Sequence, residues 1–423
     1  MALLILGVSV PALAAHARAA SGTSHQASAD GGRMASPSLG EVPIGAHSML
    51  YLNTPFSAMR AMFEQAAAMG ASRIRVDIEL SAVFPGPSDT QRSRLAGLMR
   101  GRRTSRIGAL RERPQHVDPL AHPDWRGVDE YMRLARRYHL RPLAVLTATP
   151  PDMAECPRGA SSGESYRCPP KDPHQWGRAA GEIAAHTRHV IDDFEILNEP
   201  DGHWSFLGGP RQYAAMLAAS YEAIHGVDPA GRVALGGLMH IGPAGKKWMN
   251  AVFATRGADA MHKFDLANIH LRVAPVAVSG VVCRWRSYFA SRGFAGPLWV
   301  TETGYPAAAR QQTASGYQYG RMAQAQWLTD VIPELLASGV GRIFVTERDL
   351  GRGHYATEGV LQTKDPLPPS PQVRRRPGFY AVQRLARDGT WAAAERRDAR
   401  EQPRTAGSQS GASGSCSVQS PPA

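Results

Sequence analysis

Apolar and polar positions along the chain repeat one unit, a short β-rich run followed by a longer run with apolar residues at helical spacing. Val42–Ala46, ending in His47, predicts a first strand. The next helix should open with Thr54 as N-cap and Pro55 at its first position. Phe56, Met59, Met62, Phe63, Ala66 and Met69 form its apolar stripe, and Gly70 suits the left-handed position that closes it. Arg73–Leu80 then alternates strictly, with Ile74, Val76, Ile78 and Leu80 on one face and Arg73, Arg75, Asp77 and Glu79 on the other, which predicts a second strand.

The unit continues through a helix over Val128–Tyr138, a strand over Arg141–Thr147, and a helix opened by Asp172 and Pro173 with Trp176 and Ile183 in its packed stripe. Phe194–Leu197 reads as a strand that must stop before Pro200, which has no N–H to give a ladder. Pro210–Ile224 follows as a helix, with Tyr213, Met216, Leu217, Tyr221 and Ile224 in its apolar stripe. Val233–Met239, Phe264–Leu271, Pro297–Thr303 and Arg342–Asp349 are further strands, with a helix from about Gly316 to Ser338 before the last. In Pro297–Thr303, alternation puts Leu298, Val300 and Glu302 on the inward face.

Two of these strands end in a carboxylate. Asn198-Glu199-Pro200 closes one and Thr301-Glu302-Thr303-Gly304 closes another, 302 − 199 = 103 residues later. They could face each other only in a closed or wrapped sheet. The pair resembles clan A of the glycoside hydrolases, most of all the retaining families 39 and 5. That resemblance spans Glu41 to Asp388 and implies a (β/α)8 TIM barrel, with a long insertion after the second strand and disordered tails. It implies Glu199 as acid and base and Glu302 as nucleophile, cleaving a β-linked or arabinofuranosyl oligo- or polysaccharide by double displacement, with no cofactor and no metal. It also implies Arg75 beside the nucleophile, with a structural ion pair to Asp77 or Glu195 as the other possibility. Asn198 would bond the sugar 2-hydroxyl, which requires an irregular strand end because adjacent strand residues point oppositely. His270 would orient the nucleophile or the sugar unless it is a satisfied core histidine. His47, Trp204 and Tyr305 lie on the same strand-end face as candidate sugar contacts, although a tryptophan such as Trp204 serves as often in a core. Clan members commonly follow the His270 position with a tyrosine and carry an aromatic on the eighth strand. Here Leu271-Arg272 and Thr346 stand instead, so the innermost sugar site has its own shape.

Composition adds compartment and charge. At 423 residues, 43% apolar and 20% charged, the chain suits one barrel with tails: a signal peptide or N-terminal anchor at 1–20, a flexible spacer at 21–40, the barrel at 41–390 and a disordered tail at 391–423. That leader predicts a secreted or envelope protein, expected to be a monomer. Cys156 and Cys168, 12 apart, fit no zinc or Cys-x-x-Cys pattern and read as a loop disulfide in an exported chain, while Cys283 and Cys416 could pair or stay free. Of the net charge of +12, 8 − 1 = +7 falls between Arg92 and Arg113, where eight arginines face Glu112 alone. Leu95, Leu98 and Met99 would make it a basic amphipathic helix able to touch an anionic polymer or a membrane surface, although charge runs are usually solvated faces. No nucleic-acid fold signature, Gly-rich phosphate loop, His-Glu-x-x-His or serine elbow accompanies it, so no motif supports a nucleic-acid, nucleotide, zinc-protease or esterase function. Two other classes remain: an inactive barrel that binds cell-surface polysaccharide, and an envelope protein with a membrane-facing basic flap.

Overall fold

The structure is a computed structural model that describes residues 41–86, 118–308, 320–349, 356–363 and 370–389. Eight parallel strands lie in the order β5-β4-β3-β2-β1-β8-β7-β6. They are β1 (Ile44–His47), β2 (Arg73–Glu79), β3 (Arg141–Thr147), β4 (Asp193–Ile196), β5 (Arg232–Leu235), β6 (Ala267–His270), β7 (Leu298–Thr303) and β8 (Val340–Thr346). The seam between β5 and β6 is closed by the bridges Ala234 to Leu266 and Leu238 to Ile269, and by Leu235 N–H donating to Leu266 O at 3.0 Å. The result is the expected (β/α)8 barrel.

Each strand is followed by a helix: α1 (Phe56–Met69), α2 (Arg126–Tyr138), α3 (Pro173–Thr187), α4 (Pro210–Val227), α5 (Pro243–Phe253), α6 (Val278–Ala290), α7 (Arg321–Ala337) and α8 (Pro377–Asp388). The apolar row of each strand packs under this layer. Ile74, Val76 and Ile78 of β2 join Met59, Met62 and Phe63 of α1 in one buried core. A short ribbon, β9 (Leu361–Thr363) with β10 (Val373–Arg375), precedes α8.

Boundaries differ where local chemistry outvotes pattern. Pro55, not Thr54, is the N-cap of α1, and Thr54 Oγ1 accepts from Tyr51 N at 3.2 Å instead of capping the helix. Strand β2 stops at Glu79 because Leu80–Val83 turns into a short helix. Strand β5 stops at Leu235, and β8 stops at Thr346. Cys156 and Cys168 are bonded to each other, and Cys283 is disulfide-bonded as well. The segments 1–40 and 390–423, the basic run Arg92–Arg113 and Cys416 lie outside the described residues.

The inward face of β7 is not the one alternation gives. Leu298 and Val300 pack with the helices, while Trp299 joins Leu143, Ala234, Leu266 and Phe344 inside the barrel. One extra residue restores Glu302 to the inside. Val300 pairs with Ile343 and Thr303 with Val345, so three steps on β7 face two on β8. Toward β6, Ile269 pairs with Val300 and His270 with Glu302. Thr301 is the extra residue of a β-bulge, and its hydroxyl exchanges hydrogen bonds with Asn268 at 2.8 and 3.0 Å.

Just past β8, the buried Glu347 accepts from the Ser48 hydroxyl, and among the described residues its Oε1 has no hydrogen-bond partner. Burial pushes its carboxyl up to about 8 from 4.5, so the folded chain keeps a proton there that the unfolded chain loses at lower pH. The corresponding stability is complete below the unfolded value and is lost as pH rises through the folded one. Glu347→Gln should therefore lose less melting temperature than wild type between about pH 5 and about pH 9, measured by thermal unfolding. Equal losses would refute this.

Candidate active site

The last residues of the strands converge at the C-terminal mouth of the barrel, around Arg75 on β2. Its guanidinium donates from Nε and Nη2 to Glu195 at 2.9 and 2.8 Å, from Nη2 to Asn198 Oδ1 at 2.7 Å, and from Nη1 to Glu302 Oε1 at 2.9 Å. Both possibilities for Arg75, structural pair and neighbour of Glu302, are thus realised together. Arg75 Nη1 also donates to His47 Nδ1 at 3.0 Å. An arginine always donates, so His47 carries its proton on Nε2, which lies 3.2 Å from Glu302 Oε1 in poor hydrogen-bond geometry. Burial, with Arg75 and Arg272 nearby, drives that imidazole down to about 3 and keeps it neutral.

Strand β4 delivers two consecutive residues to the site because its end is irregular. Leu197 and Glu199 both have left-handed backbones, with φ of 63° and 43°. Such conformations cost about 1–3 kcal/mol each and persist where the surroundings enforce them. Here Asn198 reaches Arg75, and Glu199 Oε1 lies 2.7 Å from His270 Nδ1. His270 fits because residue 237 is glycine: a Cβ there would stand 2.1 Å from His270 Nε2.

The two carboxyls sit in opposite surroundings. Glu199 is pushed well above the ordinary carboxylate range, first by burial and then by the charge of Glu302. Burial acts on Glu302 in the same sense, but His270, His47, Arg75 and Arg272 outweigh it and hold Glu302 well below that range. Both imidazoles are themselves held down. At neutral pH the charges that keep Glu302 ionised are therefore those of Arg75 and Arg272. Donor atoms of Glu199, His270 and Glu302 lie within 4.8 Å of one another. They would make a poor cation site, because two guanidinium groups already occupy Glu302 and oppose a further positive charge.

Two inward groups escaped sequence reasoning, Arg272 and Glu358, and two entered it only as alternative ion partners of Arg75, Glu195 and Asp77. Glu195 is the bidentate partner of Arg75 and also accepts from Gly237 N at 3.0 Å. Arg272 donates to Glu302 Oε2 at 2.9 Å, and Glu358 binds Arg272. Asp77, 8% exposed, is raised to about 7 by burial, with Glu79, Glu302 and Glu195 adding to that push against Arg75. Alternation along β2 places Asp77 on the face of Arg75. Nothing local marks Arg272 or Glu358. Of the candidate sugar contacts, Trp204 is 51% exposed with its indole across Gly202, so it is no core residue. Tyr305 is 4% exposed and stacks on Trp327 at 5.4 Å, which ties its ring to the α7 layer.

No family model matches the sequence, and no curated protein matches it. Solved structures do. A family 39 glycoside hydrolase from Bacteroides cellulosilyticus superposes with a TM-score of 0.53 at 14% identity, covering 82% of this chain and 63% of that one. A conserved exported protein from Bacteroides fragilis gives 0.57 at 11% identity, over 82% and 78%. A family 5 glycoside hydrolase from Streptomyces cattleya, in complex with a β-1,4-linked mannose–N-acetylglucosamine disaccharide, gives 0.51 at 13%, over 85% and 82%. The chain therefore spans less than two thirds of the family 39 enzyme. At these identities the likeness establishes the fold: this chain is a (β/α)8 barrel of the kind found in clan A glycoside hydrolases.

Proposed function

We propose that this protein is a retaining O-glycoside hydrolase acting on a β-linked oligo- or polysaccharide, with Glu302 as nucleophile and Glu199 as acid and base. The observation that carries the proposal is the pairing of two carboxyls, oxygens within 4.8 Å, whose surroundings drive one to hold its proton and the other to lose it. Retaining enzymes keep their carboxyls about 5–5.5 Å apart and inverting ones about 6.5–9.5 Å, to admit a water. One oxygen of each carboxyl within 4.8 Å of the other supports the closer, retaining spacing.

In the first step a Glu302 oxygen attacks the anomeric carbon, the bond to the leaving oxygen breaks, and Glu199 gives that oxygen its proton. In the second, Glu199 takes a proton from water, the water oxygen attacks the anomeric carbon, and Glu302 departs as a carboxylate. Asn198, held by Arg75, and the exposed Trp204 are the proposed contacts to the sugar 2-hydroxyl and to a further sugar face. Export fits the same reading, since the Cys156–Cys168 bond suits an oxidising compartment.

The test is intact-protein mass after incubation with a panel of 2-deoxy-2-fluoro aryl β-glycosides. One probe should add a single sugar, and peptide mapping should place it on Glu302. A folded sample that gains no sugar from any probe and turns over no glycoside would refute the reading and favour a binding-only barrel.

A further inference from the structure

Glu302 lies between two guanidinium groups that take different oxygens, Arg75 on Oε1 and Arg272 on Oε2, each at 2.9 Å. Double displacement turns this carboxylate into an uncharged ester, so for the life of the intermediate both cations lose it as a counter-ion. Arg75 keeps Glu195, which it binds through two hydrogen bonds. Arg272 likewise keeps Glu358. Arg272 donates from Nε to Glu358 Oε1 at 2.6 Å and from Nη2 to Oε2 at 3.0 Å. Glu358 is 1% exposed, and Thr346 Oγ1 donates to its Oε2 at 3.3 Å. It approaches so closely because residue 304 is glycine: a Cβ there would lie 2.4 Å from Glu358 Cγ.

We infer that Glu358 is a positioning residue, the counter-ion to which Arg272 is handed as Glu302 becomes an ester, and the group that limits how strongly Arg272 holds Glu302 ionised in the resting state. This rests on the proposed double displacement. The chain of contact runs Thr346, Glu358, Arg272, Glu302, and its effect on the reaction is electrostatic: Glu358 keeps a negative charge on Arg272 while the nucleophile loses its own.

The experiment is the pH profile of kcat/KM, on whichever aryl glycoside the trapping panel identifies, for wild type, Glu358→Gln, Arg272→Leu and the double variant Arg272→Leu/Glu358→Leu. Glu358→Gln leaves all of the Arg272 charge on Glu302, so its acid limb should move down by about one pH unit. Its kcat should fall by about tenfold or more with KM little changed, because the ester state is what is penalised. Arg272→Leu should move the acid limb up by about one unit. The double variant removes the cation and its counter-ion together, so its acid limb should lie between those of the two single variants. Carboxyl carbon NMR of 13C-glutamate-labelled protein reads the same displacements on Glu302 without turnover. Displacements of opposite sign are the expected result. Shifts of one sign in the two single variants, or an unmoved acid limb in Glu358→Gln, overturn this inference alone. A wild type that hydrolyses no glycoside overturns it together with the proposed function.

Discussion

Glu302→Gln is expected to lower kcat for every glycoside substrate by a factor on the order of 10⁴–10⁶, the scale seen when a covalent nucleophile is removed, while leaving the protein folded. Glutamine keeps the shape of the side chain and a carbonyl oxygen for one of the guanidinium donors, so Arg75 and Arg272 retain Glu195 and Glu358 as counter-ions. Glu302→Ala opens a space at the anomeric carbon. Azide should enter it and restore turnover, giving a glycosyl azide of inverted configuration, because one displacement then replaces two. Glu199→Ala should behave differently. The first step survives for aryl leaving groups that depart without a proton, and azide should give a product of retained configuration. Product NMR separates the two outcomes. Retained azide product from Glu302→Ala would exchange the assigned roles.

Arg75→Met should destabilise the fold by about 3–5 kcal/mol, the usual consequence of removing one partner from a buried ion pair. The fully buried guanidinium holds Glu195, Glu302, Asn198 and His47 at once. Methionine fills much of the volume but leaves Glu195 buried with only the Gly237 N–H among these partners. Arg75→Lys should recover little, since one ammonium cannot present a planar fork to two carboxylates and an amide oxygen. Arg75→Met/Glu195→Leu should recover part of the loss, because both members of the bidentate pair go together. Denaturant midpoints of the four proteins at constant slope are the measurement. A midpoint for Arg75→Met within error of wild type would mean that the pair contributes nothing net.

The strand-helix repeat, the barrel and the two strand-end glutamates could be read from the sequence because each is written locally. The stripe of α1, the alternation of Arg73–Glu79 and the stop imposed by Pro200 need no knowledge of distant residues. Where tertiary geometry decides, the reading failed or stayed open. The extra residue at Thr301 inverted the expected faces of Leu298 and Val300, since a bulge shows only in pairing. Tyr305, expected on the sugar side, is held by Trp327. Arg272 and Glu358 meet across 86 residues, and nothing near either one names the other. The left-handed Leu197 and Glu199 lie at a strand end that pattern alone would draw as straight.

The bulge also divides the barrel into two storeys read in different phase. Below it lies an apolar layer of Leu143, Ala234, Leu266, Trp299 and Phe344, with the guanidiniums of Arg73 and Arg232 5.6 and 5.2 Å from the Trp299 ring, and above it stand the charged groups of the site. Because Thr301 absorbs the change of phase, the orientation of Glu302 is not inherited from the packing of Trp299 two turns of the pleat beneath. The layer can drift or be redesigned under its own rules of volume, and the chemistry at the mouth can change its sugar without renegotiating the floor.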